Sequence, residues 1–121
     1  MHEMKFTLPL PPSVNEIYRH DPKSGRRVRT KALDTYKKTV GMYFVAQRVS
    51  HPAWQTAHEL GYEAHIFVPT RASDCSNRIK AFEDSMQAAL GFNDNRFVDI
   101  HAIRYIDKFN PRVEVRLFVV S

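Results

Sequence analysis

Apolar residues recur at every second position in some stretches of the chain and at every third or fourth in others. Leu60, Tyr62, Ala64, Ile66 and Val68 alternate with Glu63 and His65, which predicts a strand over 60–68 with His65 on the solvent face. Val113, Val115, Leu117 and Val119 alternate in the same way and predict a strand over 113–120, preceded by another over 97–107. Leu33, Tyr36, Val40, Tyr43 and Phe44 follow helical spacing and predict a helix from Lys31 to Arg48, with Thr30 as a candidate cap and Pro52 as the stop. Ile79, Phe82, Met86, Ala89 and Leu90 form the apolar stripe of a second helix over 76–90, ended by Gly91.

The segments between these are read from their punctuation. Lys5 to Leu10 is apolar and is closed by prolines 9, 11 and 12, as suits an edge strand. His20 to Thr30 holds Asp21-Pro22, Gly25 and four basic residues, and is expected to be an exposed, mobile loop. A turn at Asn110-Pro111 is expected to join the last two strands. The resulting order, β-α-β-α-β-β, predicts an α+β fold over residues 1–121 as one small domain, with two helices packed on a small mixed β-sheet.

Composition adds limits. The chain has 121 residues, 43% of them hydrophobic, enough to build a core. Its only cysteine is Cys75, so neither an internal disulfide nor a multi-cysteine zinc site can form. It has no apolar run of membrane-spanning length, and acid and proline interrupt MHEMKFTLPLPPS where a signal peptide needs apolar continuity. A cytoplasmic protein is expected.

The net charge of +5 suits a polyanionic partner, and its distribution is uneven. Residues 19–38 carry eight cationic and two acidic side chains, a net +6. Residues 74–99 carry five acidic and three cationic ones, a net −2.

The acidic region carries the candidate chemistry. At 100° per residue, Asn77, Lys80 and Asp84 fall within a sector about 60° wide, beside the apolar stripe. Asp74 precedes that helix and Asp94 follows it. Carboxylates gathered together repel one another unless a cation neutralises them, and Mg²⁺ takes oxygen ligands of this kind. Such an ion, with a nearby lysine, serves phosphodiester hydrolysis. Spaced acids are common, and ordinary structure accounts for the same residues without a metal. Asp74 or Ser76 can be an N-cap, Lys80 and Asp84 an i,i+4 pair, and Asn93-Asp94-Asn95 a turn.

Three blocks of the sequence resemble the RusA-type Holliday junction resolvases. LPLPPSVNEIYRH, residues 8–20, is similar to the family's opening strand and proline turn. DCSNRIKAFEDSMQAALGF, residues 74–92, resembles its D-x-D-N-x-x-K-x-x-x-D helix, and NDNRFVD, residues 93–99, its later acidic pair. The resemblance implies a homodimeric endonuclease, dependent on Mg²⁺ with Mn²⁺ as a substitute, that cuts branched DNA at four-way junctions by paired symmetric hydrolysis. It implies Asp74, Lys80 and Asp94 as catalytic residues. Asp74 and Asp94 would be the metal ligands, with Asp84 a further candidate, and Asn77 would match the asparagine after the acidic pair.

Two positions depart from the family pattern. Ser76 stands where a second aspartate is expected, and Asn93 where the later pair begins. They leave open a non-catalytic branched-DNA-binding protein with a decayed metal site. For DNA contact the candidates are Asn15, Tyr18, Arg19, His20, Arg26, Arg27, Arg29, Lys31 and Asn77. Cys75 reads as a packing residue, and Trp54 has no assigned task.

Overall fold

The computed structural model describes residues 3–47, 54, 56–73 and 75–121, without the side chain of Asp94. Alternation at 60–68 and 113–119 places one face of each strand against helices and the other face outward. The strands are β1 (Glu3–Pro9), β2 (Tyr18–His20), β3 (Arg27–Arg29), β4 (Leu60–Val68), β5 (Phe97–Ile106) and β6 (Arg112–Val119). The helices are α1 (Val14–Ile17), α2 (Ala32–Ala46) and α3 (Ser76–Leu90), followed by a 3₁₀ turn at Asp94–Arg96. The expected helix end at Arg48 lies outside the described residues.

The main sheet has the order β1-β6-β4-β5. β6 is antiparallel to both β1 and β4, whereas β4 and β5 are parallel and joined through α3. The sheet is therefore mixed, as expected, with β1 at one edge. Its inner face brings Leu8, Tyr62, Ile66, Val113 and Leu117 against Val40 and Phe44 of α2 and Phe82 and Met86 of α3. Edge-to-face pairs Phe6–Phe44 and Tyr62–Phe82, both with centroids 5.1 Å apart, fix the helices on the sheet. Trp54, unassigned in the sequence, is buried in this core. Gly91 ends α3 in the left-handed region at φ 75°, and its N–H donates to the Gln87 carbonyl, as the apolar stripe predicts.

Three features of the order go beyond the expectation. First, the 107–111 turn joins β5 to β6 as expected, yet the two strands do not pair, because β4 lies between them in the sheet. Alternation reports which face a residue occupies but not which strand lies beside it. Second, a one-turn helix, α1, follows the proline turn. Ser13 and Glu16 form a reciprocal capping box that satisfies its first N–H groups. Third, His20–Thr30 is not an open loop, because β2 and β3 pair as an antiparallel hairpin. The Asp21 carboxylate accepts from the Lys23 N–H at 3.1 Å and the Ser24 hydroxyl at 2.9 Å, and Gly25 turns the chain at φ 69°. These bonds, led by the Lys23 amide, hold the Asp21 carboxyl below its ordinary pKa.

Thr30 acts across elements. Its hydroxyl donates to the Ile17 carbonyl at 3.0 Å and accepts from the Ala32 N–H at 3.3 Å, while the N-cap of α2 is Lys31. Among the described residues no helix is long and apolar enough to cross a membrane.

Candidate active site and nucleic-acid interface

Helix α3 presents two chemically different sides. Its apolar stripe faces the sheet, and Asn77, Lys80 and Asp84 lie along the flank beside it. The Lys80 Nζ stands 2.9 Å from an Asp84 carboxylate oxygen. The ammonium is largely exposed and the carboxylate is about three-quarters covered, at 25% exposure. The neighbouring Glu83 turns inward and accepts a 2.6 Å hydrogen bond from the Tyr62 hydroxyl. Burial, together with the adjacent Glu83 carboxylate, pushes the Tyr62 hydroxyl well above the usual phenol range.

Asp84 opens onto a groove of about 660 Å³, lined also by Lys37, Gln87, Asn93 and Arg96. Asn93 leads directly into the 3₁₀ turn that begins with Asp94. The fold thus brings the Asp84 flank and the backbone approaching Asp94 to one concavity. Asp74 lies outside the described residues, and so does the Asp94 side chain. Among the described residues no three histidine, cysteine, aspartate or glutamate side chains cluster as metal ligands. Cys75 is the N-cap of α3 and makes no side-chain cap bond. It packs partly buried against the core, as expected.

Arg78 is a site-region residue that the sequence reading missed. It sits on the first turn of α3, yet it is buried at 8% exposure. One guanidinium nitrogen donates to the Pro11 carbonyl at 2.6 Å and to the Glu16 carboxylate at 3.1 Å. The start of α3 is thereby clasped to the proline turn and to α1. The Ser-x-x-Glu pattern at 13–16 was the available signal for half of this clasp.

From α1 the chain runs straight into the hairpin. Asn15, Tyr18, Arg19, His20 and Arg27 converge, with Val14, on a cleft of about 320 Å³. The Arg27 guanidinium lies over the Tyr18 ring, 4.2 Å from its centroid. Five of the nine predicted DNA-contact residues therefore share one surface. The other four are placed elsewhere. Arg26 is exposed at the hairpin turn, and Arg29 pairs with Asp34 of α2 at 2.7 Å. Lys31 borders a different groove, beside Pro12 and Tyr36, and Asn77 is exposed on α3.

A family model described as endodeoxyribonuclease RusA matches residues 9–118 of the chain. No curated protein matches it.

Proposed function

The chain belongs to the RusA family of endodeoxyribonucleases, the Holliday junction resolvases, and on that premise we propose that it is an Mg²⁺-dependent homodimer that cuts four-way DNA junctions by paired symmetric hydrolysis. The family match, which spans nearly the whole chain, carries this reading. The donors in question are all oxygens: the carboxylates of Asp74 and Asp94, with Asp84 opening on the groove that Asn93 borders. That set fits a hard divalent ion in kind, and Mn²⁺ is an expected substitute. When bound, the ion supplies charge stabilisation and a nucleophile at neutral pH.

The remaining work falls to the protein's own groups. Asp84 pairs with the exposed Lys80 ammonium on the helix flank, where the lysine's positive charge can stabilise charge developing on a phosphate. The hairpin cleft, with Tyr18 backed by Arg27, offers an aromatic face and cationic groups for a DNA backbone and an unstacked base. Asn15, Arg19 and His20 line the same cleft and Arg26 is exposed at the hairpin turn beside it, whereas Arg29, Lys31 and Asn77 would meet DNA only outside the cleft. Two cuts related by a two-fold axis call for two copies of the site.

Ser76 and Asn93 favour a second reading, a junction-binding protein without turnover. Competition decides the substrate. A labelled four-way junction is cut in the presence of excess linear duplex, flap or RNA hairpin if the proposal holds. Suppression of cutting by flap or RNA at equal concentration would assign the site to another nucleic acid.

A further inference from the structure

Phe109 is 92% exposed, more than any other large apolar side chain among the described residues. A lone exposed apolar residue is ordinary, but the turn beneath this one is braced on every side. One oxygen of the Asp107 carboxylate accepts from the Phe109 and Asn110 N–H groups, each at 3.1 Å. The other accepts from Arg112 at 2.8 Å, and the same guanidinium nitrogen donates to the Asn110 carbonyl at 2.9 Å. Arg112 is held in turn by Glu114 at 2.8 Å and lies over the Phe67 ring, 3.8 Å from its centroid. The Asp107 N–H donates to the Val68 carbonyl at 2.8 Å, which fastens the turn to the end of β4. Phe109 is thus a bare ring on a fixed backbone, so little ordering remains to be done when it meets a partner.

The topology places this turn at the DNA-facing end of the fold. β1, β4 and β5 run parallel to one another, and β6 opposes them. At one end of the sheet, the chain leaves β1 for α1 and the hairpin, β4 for the start of α3 with Asn77 and Lys80, and β5 for the 107–111 turn. Three strand spacings, about 15 Å, separate β1 from β5. One branched molecule can therefore meet the hairpin cleft, the α3 flank and the turn together.

The charge around the turn suits the same partner. Arg71, Arg104, Lys108 and Arg112 stand against Asp107 and Glu114, a net +2. The Lys108 ammonium lies 6.0 Å from the Phe109 ring centroid. An aromatic face with a cation beside it can take a nucleic-acid base and the adjoining phosphate. A second copy of the chain could also cover the ring, but it would bring the same surplus of positive charge against this one.

We propose that Phe109 is a structure-sensing wedge that stacks on a base unstacked at the branch point, with Lys108 on the neighbouring phosphate. A linear duplex keeps its bases stacked and offers the ring no face, so this contact separates branched from linear DNA. The inference rests on the reading of the chain as acting on branched DNA, and names a selecting contact for it.

The test is binding by fluorescence anisotropy, in EDTA so that cutting plays no part. A labelled four-way junction and the linear duplex of the same sequence are compared for wild type, Phe109→Ala, Phe109→Tyr and Lys108→Ala. Phe109 lies outside the core, so Phe109→Ala keeps the fold, as circular dichroism checks. Phe109→Ala should raise the junction Kd roughly 5- to 100-fold and leave the duplex Kd unchanged. Phe109→Tyr keeps the ring and should bind as wild type does. Lys108→Ala should weaken both complexes about equally and lower the salt slope by about one. A Phe109→Ala protein whose junction and duplex affinities both stay the same, or fall equally, overturns the inference. So does loss of self-association in Phe109→Ala by sedimentation velocity, which would assign the ring to a contact between copies. A wild type that prefers junctions through Phe109 but never cuts them with Mg²⁺ defeats the resolvase reading alone. Full junction selectivity and paired cutting by Phe109→Ala defeat this inference alone, and a wild type that binds junction and duplex alike defeats both.

Discussion

Replacing Glu16 with alanine removes one carboxylate that serves two elements. In the capping box it accepts from the Ser13 N–H at 3.3 Å, and across the fold it accepts from Arg78 at 3.1 Å. The first loss costs about 0.5–1 kcal/mol, because the Ser13 hydroxyl still accepts from the Glu16 amide. The second is bounded by two limits. Breaking a fully buried pair costs roughly 3–5 kcal/mol, and breaking an exposed one under about 1. Here the guanidinium is 10% exposed and the carboxylate 54%, so the pair lies between the limits. A loss of about 2 kcal/mol for the pair gives a total of about 2.5–3 kcal/mol. For a domain of this size that lowers Tm by roughly 8–12 °C. Urea unfolding followed by circular dichroism measures it. Glu16→Gln keeps an acceptor oxygen and should lose about half as much or less. Arg78→Met combined with Glu16→Ala should show a coupling of about 1–2 kcal/mol. A Glu16→Ala protein within about 0.5 kcal/mol of wild type, with no coupling to Arg78, would refute the clasp as a stabilising contact.

Three other outcomes follow from single contacts. A Cβ on Gly61 would meet the Phe118 ring, so Gly61→Ala should lose about 1–3 kcal/mol in the same urea assay. Arg27→Ala, which removes the cation over Tyr18, should weaken junction binding about equally across sequences and lower the salt slope by about one. The Asp107 carboxyl is held below its ordinary pKa, first by Arg112 and then by the Asn110 and Phe109 amides. Its contribution to stability is present above the unfolded value near pH 4 and is lost as pH falls through the lower folded value. The urea midpoint should therefore drop between pH 5 and pH 3, and drop less in Asp107→Asn.

The elements legible in the sequence are those whose pattern is set by burial alone. The 60–68 strand shows its alternation because β4 lies between two neighbours with one face on the helices. The 76–90 helix shows its stripe because Phe82, Met86 and Leu90 meet the sheet. The hairpin was missed because three-residue strands are too short to alternate visibly. The bonds of Asp21 that close it read equally well as a loop. The flank carrying Lys80 and Asp84 was legible because helical spacing alone brings them together, and they meet at 2.9 Å. Arg78 was illegible for the opposite reason. Its acceptors, Pro11 and Glu16, lie more than sixty residues away in sequence, and only the tertiary fold turns a surface-type residue into a buried clasp. Lys31 shows the same limit: it is near the hairpin in sequence but borders another groove.

The central claim is metal-dependent junction cutting by the α3 site. Its most direct test is a labelled immobile four-way junction incubated with wild type and with Asp74→Asn, with and without Mg²⁺, and the cuts mapped on all four strands. The account predicts paired symmetric nicks that require Mg²⁺ and disappear in Asp74→Asn. Tight junction binding with no cut in either Mg²⁺ or Mn²⁺ would contradict it, and would leave a binding protein whose Ser76 and Asn93 mark a lost site.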